Sequence, residues 1–322
     1  MSRVVSSSLP SSPQISVVMP AHNSAKYISE AMDSVLQNQS VELELIVIND
    51  GSQDDSAAIV QSKADSRVVL LQNAAAGGPS RARNQGIRAA RAPYIAFLDS
   101  DDVKRPEALR SAVVALDSQP CAVMAIGDLE RIDLQGTVTK PSVLAEYPVF
   151  QQLARTALPD EWQLIRQQDF AAGLLYENFI GTGSVVVRKR ALAITGLFDE
   201  TLFNSEDRDL WFRLARQGDV LYSQRVVYAY RVNTASISFG PAERNCSNRI
   251  TVLRRERQHW TQPAARRQLD RLIAEDLASI GYARRHQGRR LAAAASFTRA
   301  LYTSPNWRFF KGLIGAFVAP NR

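Results

Sequence analysis

Three carboxylates within four positions close an apolar run at Phe97-Leu98-Asp99-Ser100-Asp101-Asp102. Like charges packed that closely repel and raise each other's pKa unless a cation neutralises them. An all-oxygen set suits Mg2+ or Mn2+, which keep coordination positions open for phosphate oxygens. Asn49-Asp50-Gly51-Ser52-Gln53-Asp54-Asp55 offers a second acid, Asp50, able to accept hydrogen bonds from a nucleobase edge or a ribose. The same residues also suit a plain turn with Asp54 or Asp55 capping the next helix. Gly77-Gly78-Pro79-Ser80-Arg81-Ala82-Arg83-Asn84 permits close backbone approach to a ligand, with Arg81 and Arg83 as phosphate or base contacts. It is neither a Walker loop, lacking GKS or GKT, nor a dinucleotide fingerprint. Acids also open the segment Ser205-Glu206-Asp207-Arg208-Asp209. The helix dipole alone favours one or two of them, and one at a rim can act as general base towards a hydroxyl.

These clusters need a scaffold that brings them together. Apolar runs at 15–19, 43–48, 68–71, 94–98 and 121–126 read as strands. Between them lie helical patterns: one capped by Asn23 with Ile28, Met32, Val35 and Leu36 on its apolar face, then 56–63, 80–91 and 106–116. Strands alternating with helices predict a parallel sheet covered on both faces, with ligands beyond the carboxyl ends of the strands. Residues 20–23, 49–55 and 99–102 fall at those ends. Prolines punctuate 127–180, where 169–176 is a short helix. Residues 184–187 and 226–232 are expected strands, and 207–217 a helix with Trp211 and Leu214 as core anchors. Beyond Pro241 the pattern is helical. Ala293, Phe297, Ala300 and Pro305 match the second helix of one tetratricopeptide unit, and no full repeat appears.

The chain of 322 residues is 45% hydrophobic and 22% charged, an ordinary globular composition. Two cysteines in unlike contexts, with no CxxC or Cys/His metal spacing, fit a reduced, cytoplasmic setting. The Ser- and Pro-rich first fourteen residues fit a disordered tail better than a signal peptide. No apolar run reaches the roughly 18 residues of a membrane-spanning helix. The net charge of +7 is uneven: from Pro241 onward sixteen Lys and Arg face five Asp and Glu, while the remainder carries 23 against 27.

The ordered set Pro20-Ala21-His22-Asn23, Asn49-Asp50-Gly51-Ser52-Gln53-Asp54, Ala82-Arg83-Asn84-Gln85-Gly86-Ile87, the Asp99–102 acids, Phe198-Asp199-Glu200, Glu206-Asp207 and Tyr230-Arg231 resembles the family 2 inverting glycosyltransferases over about residues 15–238. The resemblance implies a GT-A fold, a Rossmann-like nucleotide-binding sheet with an acceptor subdomain, here followed by an α-helical C-terminal segment. It implies a nucleotide-binding half at 15–126, an acceptor-binding half at 127–240 and a basic helical region at 241–322. The donor is a nucleotide sugar, a UDP-sugar foremost, and the cofactor Mn2+ or Mg2+. By the same resemblance Asp50 reads the base, with Pro20, Ala21, His22 and Asn23 lining its pocket and Arg83 on the donor. Asp99 and Ser100 lie near the ribose, Asp101 reaches the metal on the diphosphate with Asp102 assisting, and Asp207 is the general base with Glu206 beside it. His22 stands where Tyr is common, Asn49 replaces the first acid of DDGS, and Asn233 replaces a frequent His. The QxxRW motif of processive synthases is missing, which argues for transfer of a single sugar.

The Arg pairs at 254–255, 266–267, 284–285 and 289–290 suit solvated helix faces. Trp307-Arg308-Phe309-Phe310-Lys311, followed by Leu313, Ile314, Phe317 and Val318, mixes aromatic and aliphatic groups with cations, as an interfacial helix on anionic lipid does. The expected partners are therefore the sugar donor, a glycan or lipid-linked acceptor and the inner membrane face. Nucleic acid is not among them, since no reading module accompanies the basic residues. The competing readings are a nucleotidyltransferase, which needs a Gly-rich basic loop where this chain has Pro20-Ala21-His22-Asn23, and a degenerate transferase serving as a scaffold.

Overall fold

The computed structural model describes residues 2–5 (backbone only), 12–233 and 241–317. The chain forms two compact units. The first comprises Met1–Glu200 with Leu210–Asn233, the second Thr201–Asp209 with Thr234–Arg322. The stretches expected as nucleotide and acceptor halves thus share one unit up to Asn233, apart from Thr201–Asp209.

Among the described residues of the first unit, twelve strands make one mixed sheet. They are β1 (Ser2–Val5), β2 (Ile15–Ala21), β3 (Leu43–Asp50), β4 (Val68–Asn73), β5 (Tyr94–Phe97) and β6 (Val103–Lys104). The later ones are β7 (Ala122–Ile132), β8 (Val138–Lys140), β9 (Thr156–Ala157), β10 (Trp162–Ile165), β11 (Val185–Arg188) and β12 (Asp219–Arg231). The order is β1-β4-β3-β2-β5-β11-β7-β12-β10-β9, with β8 beside β7 and β6 beside β12. The tail expected to lack structure begins as β1, antiparallel to β4.

Strands β4, β3, β2 and β5 are parallel, as the alternating pattern predicts. The wholly parallel sheet is not what forms. Strand β11 runs antiparallel between β5 and β7, while β7 and β12 are parallel. Its residues Val185, Val186 and Val187 are buried, so this short apolar run needs cover on both faces and takes the central place. Strand β7 continues past residue 126 to Ile132, with Asp128 and Glu130, both buried, inside it. Asp128 satisfies its carboxylate on Ser142 Oγ at 2.5 Å and the Leu144 amide at 3.0 Å. Strand β12 starts seven residues before the expected 226. The polar Ser223-Gln224-Arg225 interruption that hid it is an irregularity in its register with β7.

The core lies on the strands nearest the acids. Ile15, Val17, Val18 and Met19 of β2 are wholly buried, as are Leu43, Leu45, Val47 and Ile48 of β3. Beneath the end of β5, Phe97, Phe198 and Trp211 form an aromatic cluster, Phe97 and Phe198 meeting edge to face at 5.4 Å. Trp211 and Leu214 are fully buried core anchors, as the helical spacing predicts. Truncating a buried aromatic of this kind costs about 3–5 kcal/mol.

The second unit contains the helices Ala242–His259, Pro263–His286, Arg290–Thr303 and Trp307–Phe317. Phe297 is its pivot, wholly buried between two glycines. A Cβ on Gly312 would lie 2.4 Å from the Phe297 ring and one on Gly281 2.9 Å, so only glycine admits the ring at both places. Ala293 and Ala300, expected on the same apolar face, are also fully buried. Among the described residues no helix is long and apolar enough to cross a membrane.

Candidate active site

Strands β2, β3 and β5 bring three polar loops to one edge. β2 and β3 pair as far as Ala21 opposite Asn49, and β3 and β4 as far as Asp50 opposite Asn73. The loops after β2 and β3 are joined by short bonds. The Asn23 amide donates to Ser52 Oγ at 3.0 Å, and Asn23 Oδ1 accepts from the Gln53 amide at 2.8 Å. Asn23 sits at φ 50° and does not cap the following helix, which begins at Ile28 behind Tyr27. Its short amide tolerates the left-handed backbone and ties two loops instead. The Ala25 amide reaches Asp54 Oδ2 at 2.9 Å, and Asp54 Oδ1 holds the Ser56 amide and hydroxyl, while Asp55, at the cap of the helix Ser56–Ser62, makes no side-chain capping bond.

Asp50 is buried and well supplied with donors. Its Oδ2 accepts from the amides of Gly77 and Gly78, both at 2.8 Å, and its Oδ1 from Asn73 Nδ2 at 2.8 Å. A carboxylate offers about four lone-pair sites, so capacity for a ligand remains on Oδ1. Gly51 turns the chain at φ 69°, where a Cβ would strike the backbone of Ala75 and Ala76. His22 is exposed. Its Nδ1 lies 2.8 Å from the Asp50 carbonyl and its Nε2 3.2 Å from Asn23 Nδ2. A carbonyl only accepts, so the proton sits on Nδ1. Pro20 is half-buried and Ala21 buried at the end of β2.

The acids after β5 divide by burial. The Asp99 side chain is 38% exposed and receives Arg83 Nη2 at 2.7 Å. Arg83, on the helix Pro79–Ala89, is itself buried and lies 5.5 Å over the Phe198 ring. Ser100 is buried and Asp101 half-buried. Burial, then the charge of Asp99, pushes the Asp101 carboxyl up to about 6. Asp102 is directed inward: it is buried and accepts the Arg231 amide at 2.9 Å. Burial first, then Asp101 and Asp99, raises its pKa well above the usual carboxylate range. Nearby Lys104, buried and donating to the Gly183 carbonyl at 2.5 Å, is pushed down to about 7 by burial.

Arg231, quoted in the sequence only as part of the Tyr230-Arg231 segment, is the hub of this edge. Its Nε donates to the Asp101 carbonyl at 2.8 Å, Nη1 to the Asp133 carbonyl at 3.2 Å and Nη2 to Glu30 at 2.8 Å. The guanidinium lies 4.7 Å over the Tyr27 ring. Asn84 is a second such tie: it donates to the Phe198 carbonyl and Glu200, both at 2.9 Å, and accepts from the Phe198 amide at 3.0 Å. Two motif pieces more than a hundred residues apart are thus one bonded unit. The ordered recurrence of the motifs was the available signal.

Glu206 and Asp207 open the helix Glu206–Ala215, and their turn is counted with the second unit. Glu206, Arg208 and Asp209 are buried, whereas Asp207 is half-buried. Asp209 pairs with Arg255 at 3.2 Å. Burial lowers the Arg208 guanidinium to about 10 against the opposing charge of Asp207.

Among the described residues no three His, Cys, Asp or Glu side chains form a ready-made metal cage. The half-buried Asp101 carboxyl still fits a hard divalent cation that draws its remaining ligands from diphosphate and water. Burial first and the Asp99 charge second raise the Asp101 carboxyl, and Arg231 offsets them only in part.

Comparison with known proteins agrees with this geometry. The profile of the family described as "Glycosyl transferase family 2" matches residues 16–192. The succinoglycan biosynthesis protein ExoO of Rhizobium meliloti is 34% identical over 70% of this chain and 63% of its own length. The uncharacterized glycosyltransferase RP339 of Rickettsia prowazekii is 27% identical over 70% of this chain and 65% of its own. The chain belongs to glycosyl transferase family 2. Its match spans just under two thirds of those relatives. Among solved structures, S. aureus TarS 1-349 in complex with UDP-GlcNAc superposes with a TM-score of 0.63 at 19% identity, over 93% of this chain and 84% of that one. The mannosyltransferase PcManGT from Pyrobaculum calidifontis, in complex with GDP-Man and Mn2+, gives 0.60 at 15% identity over 97% and 81%. The fold is GT-A, with a helical segment at its C-terminus.

Proposed function

We propose that this protein is an inverting glycosyltransferase, moving one sugar from a nucleoside-diphosphate sugar to a hydroxyl of a cell-surface glycan or its lipid-linked precursor. The observation that carries this reading is the loop edge itself, where Asp50 after β3 and Asp99 and Asp101 after β5, on either side of β2, are held by Gly77, Gly78, Arg83 and Arg231. Family membership supports the reaction class. The ExoO relationship supports a surface-glycan product, and the UDP-GlcNAc carried by TarS supports a UDP-sugar donor.

In this reading Asp50 accepts from the nucleobase, within a pocket of Pro20, Ala21, His22 and Asn23. Asp99, oriented by Arg83, and Ser100 sit by the ribose. Asp101 would hold Mn2+ or Mg2+ at the diphosphate, and the cation would offset the charge developing on the leaving group. Asp102 anchors the loop through the Arg231 amide and so acts through Asp101. Asp207, with Glu206 beside it, accepts the proton of the acceptor hydroxyl as that oxygen attacks the anomeric carbon opposite the diphosphate. One base suffices for inversion, with no carboxylate nucleophile and no covalent intermediate, unlike retaining hydrolysis. The enzyme works in the cytoplasm at the inner membrane face.

A thermal-shift screen of nucleoside diphosphates with Mn2+ tests the reading. Stabilisation by at least one of them, lost in chelator, is expected. Stabilisation by none would overturn it.

A further inference from the structure

The helix Trp307–Phe317 has two apolar stripes where one would hold it in place. Phe309, Gly312 and Ala316 are buried, with Gly312 against the Phe297 ring. At 3.6 residues per turn, Trp307, Phe310, Ile314 and Phe317 line the opposite side. They are 62%, 41%, 51% and 57% exposed. Trp307 stacks on Phe310 at 5.2 Å, and the Lys311 ammonium lies 5.7 Å over the Trp307 ring. Exposed Arg308 and Lys311 therefore flank the outer stripe on the side leading towards the buried one. Four large apolar side chains in helical register, bordered by cations, are far from the scattered exposure of an ordinary surface.

Charge decides between occupants. From Leu277 to Arg322 the chain has eight Lys and Arg and no Asp or Glu. Arg284 and Arg289 are engaged by Glu243, whereas Arg290, Arg299, Arg308 and Lys311 are exposed. A second copy docking through this helix would bring two like-charged surfaces together, which opposes association. A bilayer rich in anionic headgroups offers opposite charge and an apolar layer at once. Trp with Phe and Ile on one side and Arg and Lys at the border suits that interface.

We propose that the outer stripe of this helix docks the protein on anionic phospholipid, with Trp307, Phe310, Ile314 and Phe317 entering the headgroup boundary and Arg308 and Lys311 at the phosphates. This deepens the membrane-face placement above, but it does not depend on the donor chemistry. Vesicle binding needs no nucleotide, so either claim can fail while the other stands.

The test is flotation of the full chain with vesicles of phosphatidylcholine alone and of phosphatidylcholine with phosphatidylglycerol. Binding only to the second kind is expected. The double variants Phe310→Ser/Ile314→Ser and Arg308→Glu/Lys311→Glu should each weaken it at least about tenfold, with melting and nucleotide response unchanged. Should the serine variant fail to fold, brominated phosphatidylglycerol supplies a second readout on the wild type. It should quench tryptophan fluorescence, and Trp307→Phe should remove most of that quenching. Failure of the wild type to float, variants that float equally well, or unquenched fluorescence would overturn the proposal. So would a concentration-dependent doubling of mass abolished by the serine variant, which would make a second copy the occupant.

Discussion

Replacing Asp101 with Asn should make the metal-free protein more stable at neutral pH while removing its response to a divalent cation. The carboxyl is raised from 3.8 to about 6, first by burial and then by the charge of Asp99. The folded state therefore holds that proton more tightly than the unfolded chain. Stability linked to this group is fully present below about pH 4 and is lost as pH rises through about 6. A shift of about two units at 1.36 kcal/mol each bounds the native penalty at about 3 kcal/mol at pH 7.5. An amide removes the charge at nearly the same size, so a gain of about 1–3 kcal/mol is expected. For a domain of this size that raises Tm by roughly 2–4 °C per kcal/mol. Calorimetry of wild type and Asp101→Asn in chelator at pH 7.5 and pH 4.5 reads it directly. The variant should lead at pH 7.5 and lose most of that lead at pH 4.5. Equal melting at both pH values, or a variant less stable at pH 7.5, would refute the argument that uncompensated charge is held at this loop for a cation.

Asp207→Asn should keep donor binding and lower transfer by about 10²–10⁴, the usual share of a general base, measured as sugar transfer beside nucleotide affinity. Full transfer in that variant would move the base elsewhere. Arg231→Leu removes charged donors from the Asp101 and Asp133 carbonyls and from Glu30. It should cost about 1.5–3 kcal/mol in urea unfolding and weaken metal-dependent nucleotide binding, since it frees the carbonyl that fixes Asp101. Asp50→Ala should strip the Gly77 and Gly78 amides of their acceptor, lowering Tm and abolishing stabilisation by nucleoside diphosphates alike.

The parallel strands and the loops that bear the acids were legible because both follow local rules. An apolar run ending in polar residues is a strand with its carboxyl end at a rim, and β2, β3, β4 and β5 obey that period. What escaped depends on partners remote in sequence. Nothing local says that Val185-Val186-Val187 enters between β5 and β7 in reverse, because an apolar run has no direction until it pairs. Asp128 and Glu130 concealed the length of β7, since a charged residue in a strand is identified only once its distant donors are known. Asn23 had the right side chain for a helix cap, yet its left-handed backbone and the loop opposite claimed it. Asp102 looked like a third metal acid in the linear run. A turn that brings Asp102 N to Asp99 O at 3.1 Å sends its carboxylate inward to Arg231.

The most direct test of the account is calorimetric titration of the wild-type protein with UDP and with GDP, in Mn2+ and in chelator, repeated on Asp101→Asn. Saturable binding of one of these nucleotides is expected, requiring Mn2+ in the wild type and at least about tenfold weaker in the variant. Binding of the same strength in chelator, or in Asp101→Asn, would contradict a cation-bridged nucleotide at this edge of the sheet.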